Sequence, residues 1–492
     1  MNRLLEHGLP LAISLALVSG CKPPAVTFPD TPLSAGARQI VYDSDGDGRG
    51  DCIFLLNAAG RIDRVARDGG DPNSVRVVEL DKIPLADCRH VVILLDGVRH
   101  DLVREFRDAG HLRMFHPPSL VIAPYPTLTD PALEDALGLP PARAMEAEYY
   151  DPNQNEIEGG SGEYLEADEL PYNRVLDYRA ETMMDAYSYL WPQSVFRKEI
   201  NDAKRLIDAR AEPETLVYLV STAGLGTKLG RAGHLHALAD VERLVGQLLC
   251  ETGGKCKFTI FSDHGHTYTP GERIDMEGHL KQRGWNLAGR IDGDRDVAYV
   301  RFGLVTYLSL SGKHPAELAA DAVACAGAEL ASYVDGNSVV VLDASGGRAV
   351  IGRKGERYSY KPSAGDPLKL REVLAKLKPD AEGYYDADEM LTATAASEYP
   401  AAPERLWRAH FGLVETPPDV IVSLADGFYS GSKELDAWAD VQSTHGSLRA
   451  SNSAAFIMST IGPLPGVLRS AEIPANMAKL TGRKWPRHVA AE

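Results

Sequence analysis

The strongest constraint on the fold is a set of short, continuous apolar runs. Val91–Leu95 reads VVILL, and such a run is typical of a strand that is buried on both faces of a parallel sheet. Similar runs occupy residues 119–123, 216–220, 258–261, 419–423 and 454–458. Helical patterns lie between them, notably at 235–249 and 368–377. This alternation predicts an α/β fold with a doubly wound, mostly parallel sheet.

Two stretches interrupt the alternation. Residues 143–174 are acidic and Gly-containing, which favours a solvated loop. Residues 297–412 predict an inserted, smaller α+β block with a hairpin at 349–352 and 358–360. The predicted organisation is a signal peptide at 1–20, a tether and acidic leader at 21–88, core segments at 89–296 and 413–492, and the inserted cap-like block at 297–412.

The first apolar run, residues 9–18, is too short to span a bilayer and has the length of a signal-peptide core. It ends in Val18-Ser19-Gly20-Cys21, which resembles a bacterial lipobox. The resemblance implies export, a lipid on Cys21 and a membrane-anchored protein of the cell envelope, in the outer membrane because no Asp follows the cysteine. The alternative is a plain secretory signal. The other five cysteines could pair in more than one way, including Cys250 with Cys256 and Cys52 with Cys88.

The charge balance narrows the function classes. The chain has 52 Lys and Arg against 69 Asp and Glu, a net charge of −17, and 25% of its residues are charged. A mostly disordered chain or a polytopic membrane protein is excluded by this composition. Nucleic acid is not expected as a partner, because phosphate backbones require a basic face.

An acidic loop precedes the first predicted strand. Its oxygen-bearing residues are spaced as in Ca²⁺-binding loops: Asp43, Asp45, Asp47, Arg49 through its carbonyl, and Asp51. Phe54 stands where an EF-hand has Glu, and a strand follows. The segment is similar to the Ca²⁺ loops of FG-GAP repeats, so we expect a structural Ca²⁺; the alternative is an acidic turn without an ion.

Polar residues follow the predicted strands directly, where ligands bind in open α/β sheets. Asp96 and Gly97 follow the first strand, and Tyr125–Pro131 (YPTLTDP) follow the second. Ser262–His266 (SDHGH) come after the fourth strand, and Ser443–Ser447 (STHGS) occur late in the chain. Each motif alone is weak, since such residues often cap helices.

In this order the four motifs resemble the alkaline phosphatase superfamily, in its nucleotide pyrophosphatase/phosphodiesterase-like branch, over residues 89–290 and 418–460. The resemblance implies an alkaline-phosphatase-like fold, a Zn²⁺-dependent hydrolase and a small phosphorylated substrate. It implies one metal site from Asp96, Thr129, Asp263 and His264, with His445 in a second. Thr129 would be the nucleophile and form a phosphothreonine; Thr127 is the alternative.

The chain departs from that family at the second metal. The expected Asp and His fall on Ala223 and Thr227, so only His445 of that site is present. His234 and His236 are two apart on a predicted helix, cannot face one ion, and are expected on a solvated face. Three outcomes remain open: a one-metal hydrolase with Lys228 or Arg99 supplying charge, a rebuilt second site, or a pseudoenzyme that binds a phosphorylated ligand.

Two other functions fit less well. A sulfatase needs Cys or Ser in a C/S-x-P-x-R frame, and residues 129–133 read TDPAL. An adhesion-type surface protein would account for the acidic loop and leave the Asp96, Asp263 and His264 set without a role.

Overall fold

The computed structural model describes residues 22–67, 76–160, 170–437 and 439–487. The predicted signal peptide and Cys21 lie outside the described residues. Among the residues described, no helix combines the length and the apolar character that crossing a membrane requires.

A seven-stranded sheet, the core sheet, forms the centre of the α/β fold. Its strands, in spatial order, are Tyr178–Arg179, Glu214–Leu219, Arg89–Leu95, Cys256–Ser262, Ala454–Ser459, Ser119–Ile122 and Val467–Arg469. Only Ala454–Ser459 runs antiparallel to its neighbours. The mostly parallel sheet is therefore confirmed, and its central strands are buried on both faces because apolar helices cover them.

A second sheet has nine strands. In spatial order they are Asn286–Leu287, Asp296–Val300, Tyr307–Gly312, Val420–Leu424, Ala328–Asp335, Ser338–Asp343, Arg348–Arg353, Arg357–Ala364 and Tyr385–Asp386. The predicted hairpin is present as the antiparallel pair 348–353 and 357–364. The run at 419–423 forms a strand, but it lies in this second sheet and not in the core sheet. Its apolar pattern shows burial on both faces, and burial alone does not identify the partner strands.

A third sheet, the leader sheet, precedes the core. Its antiparallel strands are Ser34–Ala35, Gln39–Tyr42, Cys52–Leu56, Ile62–Arg67 and Arg76–Glu79. Phe54 and Val65 point from it into the same apolar cluster as Val245 and Leu249 of a core helix. The leader sheet is therefore packed onto the core, whereas composition alone predicts a tether for this part of the chain.

Helices cover the sheets. The α-helices are His100–Asp108, Thr129–Leu137, Thr182–Ser188, Pro192–Ala209, Thr222–Glu251, Met276–Gln282, Pro315–Val323, Arg371–Leu374, Ala387–Thr394, Ala402–His410, Lys433–Asp436, Ala450–Ser453 and Ile473–Thr481. The helix predicted at 368–377 is shortened to Arg371–Leu374. Lys369 has a left-handed backbone, and the Asp366 carboxylate accepts from the Arg371 N–H, so the helix begins late.

The acidic stretch 143–174 is more ordered than predicted. Glu148–Asp151 and Glu156–Gly159 form a two-stranded antiparallel ribbon. The carboxylate of Glu146 accepts from the Gly303 N–H at 2.8 Å and from the Tyr307 hydroxyl at 2.9 Å. Glu146 therefore binds residues at the second sheet instead of facing water; residues 161–169 of the stretch lie outside the described part.

Candidate functional site

Two adjacent parallel strands place three chemically active side chains together. Leu95 and Ser262 are paired across the core sheet, so the residues that follow them, Asp96 and Asp263-His264, leave the sheet side by side. Thr129 begins the helix Thr129–Leu137 and points toward the same edge. The carboxyl edge of the sheet thus gathers four of the residues that the sequence predicts.

The ligating atoms of Asp96, Asp263 and His264 lie within 4.8 Å of one another, and all three side chains are buried. His264 Nε2 is 3.4 Å from Asp263 Oδ2 and 3.9 Å from Asp96 Oδ1. Both of these carboxylate oxygens lack a hydrogen-bond partner. Buried oxygens without partners, facing an imidazole nitrogen, fit a divalent cation, because zinc binds carboxylate oxygen and histidine nitrogen and catalytic zinc sites have three protein ligands.

The orientation of His264 supports the same interpretation. Its Nδ1 is 3.1 Å from the Gly265 carbonyl, an acceptor, so Nδ1 carries the proton and donates it. Nε2 therefore presents a lone pair toward the two carboxylates. A backbone carbonyl that orients the imidazole in this way is the usual outer partner of a metal-binding histidine.

The electrostatics of this group favour its neutral forms in the absence of a cation. Burial, followed by the nearby charge of Asp263, raises the pKa of Asp96 well above its usual range. Burial raises the pKa of Asp263 to about 6 and lowers the pKa of His264 to about 3. A divalent cation would reverse the preference of the two carboxyl groups, because its charge stabilises both carboxylates.

The two threonines of the TLT segment differ in accessibility and partners. Thr129 is partly exposed, and its Oγ1 lies 3.4 Å from Asp96 Oδ2 and 3.5 Å from His264 Nε2. Thr127 is fully buried; its Oγ1 donates to the Ser447 carbonyl and accepts from the Gly446 N–H. Thr127 therefore ties the late STHGS loop to the nucleophile loop, and Thr129 is the one placed for chemistry.

Sequence reasoning missed two residues that hold Asp96. The Tyr218 hydroxyl donates to Asp96 Oδ2 at 2.5 Å, and the Thr222 hydroxyl accepts from the Asp96 N–H at 2.6 Å. Both come from the neighbouring strand and the turn that follows it. Tyr218 was part of a predicted apolar strand, and only the pairing of that strand with Arg89–Leu95 reveals its role.

The region of the expected second metal is built differently. Ala223 and Thr227 are buried there, and His445 stacks on His264 with ring centroids 3.9 Å apart. His445 Nδ1 is 2.8 Å from the Thr127 carbonyl and donates to it. Within the described ranges, His445 does not belong to any group of three ligating side chains as compact as that of Asp96, Asp263 and His264.

His266 fills part of this region. Its Nδ1 is 3.1 Å from Ser443 Oγ, and its Nε2 is buried with no hydrogen-bond partner. The ring packs so closely on two glycines that a Cβ at Gly97 would lie 2.6 Å from Nε2, and one at Gly226 would lie 3.1 Å from Cε1. The imidazole of His266 thus lies against the turn that carries Ala223 and Thr227.

The predicted solvated face for His234 is wrong. His234 is fully buried, with Nδ1 2.7 Å from the Tyr268 hydroxyl and Nε2 3.0 Å from the Thr222 carbonyl. The helix Thr222–Glu251 is broken at Gly230, where the backbone is left-handed, and this break turns the following residues inward. His236 is partly exposed and lies 3.6 Å from Asp240, so the two histidines do not face one ion.

The acidic loop shows a partial match to a calcium site. Carboxylate oxygens of Asp43, Asp45 and Asp47 lie within 4.8 Å of one another. Asp51 instead accepts from the Ser44 N–H at 2.6 Å, and the Arg49 N–H donates to Asp47 at 2.8 Å. Three of the five predicted residues are therefore brought together, and the Ca²⁺ itself stays a prediction.

Comparisons with known proteins are distant. No family model matches the sequence, and no curated protein matches it. Among solved structures, murine ectonucleotide pyrophosphatase/phosphodiesterase 5 is 13% identical with a TM-score of 0.42, covering 82% of this chain and 97% of the other. The human protein of the same name is 12% identical with a TM-score of 0.41 and covers 82% and 97%.

A third similar structure is an inactive variant of the murine protein in complex with AMP. It is 12% identical with a TM-score of 0.41, and the coverage is again 82% of this chain and 97% of that one. Because identity and TM-score are both low, the chemistry of this chain is inferred from its own residues.

Proposed function

We propose that this chain is a metal-dependent phosphoric ester hydrolase, a phosphodiesterase or phosphatase, that uses Thr129 as its nucleophile. The observation that carries the proposal is the placement of Thr129 Oγ1. It lies at the start of a helix and within 3.5 Å of both Asp96 and His264, beside two buried carboxylate oxygens without partners. The order of the LLDG, PTLTDP, SDHG and THGS motifs, with its resemblance to the alkaline phosphatase superfamily, supports the same function.

Asp96, Asp263 and His264 would hold the metal, and Zn²⁺ suits their oxygen and nitrogen atoms. When bound, the ion would supply Lewis-acid stabilisation of negative charge at the phosphoryl group and lower the pKa of the nucleophile. Tyr218 and Thr222 keep Asp96 in place through its Oδ2 and its N–H.

The reaction at Thr129 has two stages. Thr129 Oγ1 forms a bond to phosphorus while the ester P–O bond breaks, which releases the alcohol and leaves a phosphothreonine. Water then attacks phosphorus and releases phosphate, or a monoester when the substrate is a diester, and the threonine hydroxyl is restored. The N-terminus of the helix Thr129–Leu137 attracts the phosphoryl oxygens through its backbone N–H groups and dipole.

The residues favour one metal over two. Ala223 and Thr227 supply no second ligand pair, and the His266 ring packs against their turn. Charge on the far side of the phosphoryl group must then come from a side chain. The Arg99 guanidinium is already paired with Asp101 and stacked on the Tyr268 ring, and Lys228 is the other candidate that the sequence offers.

A pseudoenzyme that binds a phosphorylated ligand without turnover is the second candidate. The observation that favours it is the loss of the ligand pair at 223 and 227, because two-metal sites clamp both the attacking and the leaving oxygen. In either case the partner is a small phosphorylated molecule and not a nucleic acid.

The location stays a proposal drawn from the sequence. The VSGC motif at Cys21 supports export to a bacterial cell envelope and attachment to the outer membrane through an N-terminal lipid. The Ca²⁺ proposed for the acidic loop would stabilise the leader sheet, since closely spaced carboxylates repel one another without a cation.

The test is metal analysis combined with hydrolysis of a bis-aryl and a mono-aryl phosphate. Wild type should contain about one zinc per chain, and Thr129→Ala should retain the metal but lose turnover by about 10³-fold or more. Thr129→Ser is the matched control, because it keeps a hydroxyl at the same position and should keep measurable turnover.

The outcomes separate the two candidates. Bound metal and ligand without Thr129-dependent turnover would establish the pseudoenzyme. A protein that binds no metal and shows no Thr129-dependent hydrolysis would overturn the hydrolase proposal.

A further inference from the structure

Two buried thiols from distant parts of the chain are in contact. Cys52 begins the leader strand Cys52–Leu56, and Cys250 lies in the last turn of the core helix Thr222–Glu251. Their exposed fractions are 0% and 2%, they belong to the same buried apolar cluster, and each thiol is the largest influence on the pKa of the other, through a hydrogen bond between the side chains. The contact is therefore between the leader sheet and the core.

Other bonds hold the same two parts together near this contact. Arg243 Nε donates to the Phe28 carbonyl at 2.8 Å, and the side-chain oxygen of Gln247 accepts from the Thr27 N–H at 2.8 Å. The Phe28 ring packs so closely on Gly246 that an added Cβ would lie 3.0 Å from it. The helix that carries Cys250 is thus bonded, one to two turns before that residue, to the segment that precedes the leader sheet.

The two thiols are chemically unequal. The hydrogen bond from Cys52 is the largest influence on the pKa of Cys250 and lowers it. Burial raises this pKa, and a hydrogen bond from Ser44 lowers it further, so the net direction is down. The bond between the two thiols, together with burial, raises the pKa of Cys52. Cys250 is therefore the thiol that becomes a thiolate first, and the thiolate is the nucleophile in thiol–disulfide exchange.

We propose that Cys52 and Cys250 form a disulfide that joins the leader sheet covalently to the core. The oxidant is a small or protein disulfide such as oxidised glutathione. The Cys250 thiolate attacks one sulfur of the oxidant and forms a mixed disulfide, and the other sulfur leaves as a thiol. Cys52 then gives up its proton and attacks Cys250 Sγ, which releases the second thiol. Two electrons pass from the cysteine pair to the oxidant.

The other described cysteines have different neighbours. Cys256 Sγ lies 3.9 Å from the Lys257 carbonyl, and Cys325 Sγ lies 3.9 Å from the Asp275 carbonyl. All five are free thiols in the structure, so neither of the pairings suggested by sequence spacing is formed. Cys250 faces Cys52 although Cys256 is much nearer in sequence.

Trypsin makes the assignment direct, because each of these cysteines falls on its own peptide. Cys52 lies on residues 50–61, Cys250 on 244–255, Cys88 on 83–89, Cys256 on 256–257 and Cys325 on 314–348. The full chain is reduced, freed of reductant, and incubated with oxidised glutathione, once in the native state and once during refolding from denaturant. Remaining thiols are alkylated before digestion without reductant.

The expected product is peptide 50–61 linked to peptide 244–255, formed at least during refolding, since burial slows exchange in the native state. Oxidised wild type should melt a few degrees above its reduced form, because a cross-link restricts the unfolded chain. Cys52→Ser and Cys250→Ser should each abolish the linked peptide and the shift, and Cys325→Ser should keep both.

Absence of the 50–61 to 244–255 link under both conditions overturns the proposal. A link from Cys250 to any other cysteine as the main product overturns it as well. The result is independent of the proposed hydrolase, because neither cysteine lies in the Thr129 site and hydrolysis is not the readout.

Discussion

The candidate site has two halves, the group of Asp96, Asp263 and His264 and the region around Ala223, Thr227 and His266. They differ in the polar groups that they bury. In the first half, Asp96 Oδ1 and Asp263 Oδ2 are buried without partners, and His264 directs Nε2 toward them. In the second half, a methyl group and a hydroxyl replace the expected Asp and His, at Ala223 and Thr227. Buried carboxylates without a partner or a cation lower the stability of the folded state, whereas a buried alanine needs no polar partner. One half therefore has the compact set of oxygen and nitrogen donors that an ion would need, and the other lacks the expected pair of ligands.

The largest expected effect is the loss of the metal from the first half. Asp263→Asn removes one of two anionic ligands, so metal content should fall from about one per chain to none, and turnover should fall by about 10³-fold or more. Metal analysis and aryl phosphate hydrolysis measure the two quantities. Asp208→Asn, at a surface helix carboxylate that pairs with Lys204, is the matched control and should change neither. Metal retained in Asp263→Asn would show that Asp263 is not a ligand.

The metal-free protein should show opposite pH slopes from the two halves. The folded-state pKa of Asp263 is about 6, above an unfolded value of about 3.9, so the folded state holds the extra proton. Its contribution to the free energy of unfolding is therefore lost as pH rises from about 4 to about 6, by about 3 kcal/mol. Burial holds the pKa of His266 well below its usual range, so its contribution is lost as pH falls below about 6.5.

Urea unfolding in a chelator from pH 4 to pH 8 measures both slopes. Asp263→Asn should reduce the loss of stability with rising pH, and His266→Gln should reduce the loss with falling pH. If both variants keep the wild-type profile, the two halves do not differ in the way proposed.

Restoring the expected ligands in the second half should create a second metal site. Ala223→Asp with Thr227→His restores the missing ligand pair, so metal content should rise toward two per chain and turnover by about 10-fold. Each single variant is the control, since one added ligand leaves the set incomplete. If the double variant gains no metal, removal of the His266 ring by His266→Ala in the same background tests whether that imidazole blocks the position. No gain in the triple variant would contradict the assignment of residues 223 and 227.

The smallest expected effect concerns the hydroxyl that holds Asp96. Tyr218→Phe removes the donor 2.5 Å from Asp96 Oδ2 and should lower kcat by about 3- to 10-fold, with KM and metal content nearly unchanged. Steady-state kinetics separate kcat from KM. Tyr172→Phe is the control, because its hydroxyl bonds Asp130 instead. An equal effect in both variants would assign Tyr218 a general role in packing.

The positions that followed strands were predictable because strand ends are encoded locally. An apolar run that stops at Asp96 or at Asp263 shows both the strand and the polar edge, and parallel strands bring such edges together. The buried state of His234 was not predictable, because it depends on a helix break at Gly230 and on Tyr268 from another element. The sheet that contains strand Val420–Leu424 was not predictable either, because an apolar strand can pair with any buried strand.

The amino-acid pattern alone predicted the α/β class and the mostly parallel core sheet, because both follow from local periodicity. The grouping of Asp96, Thr129, Asp263 and His264 was implied by the resemblance of the four motifs to the alkaline phosphatase superfamily, and the shared edge of parallel strands is consistent with it. Only the tertiary structure decided which threonine is accessible, which tyrosine holds Asp96, and that Cys52 meets Cys250. Each of these depends on a contact between residues far apart in the chain, and packing of that kind leaves no periodic pattern in the sequence.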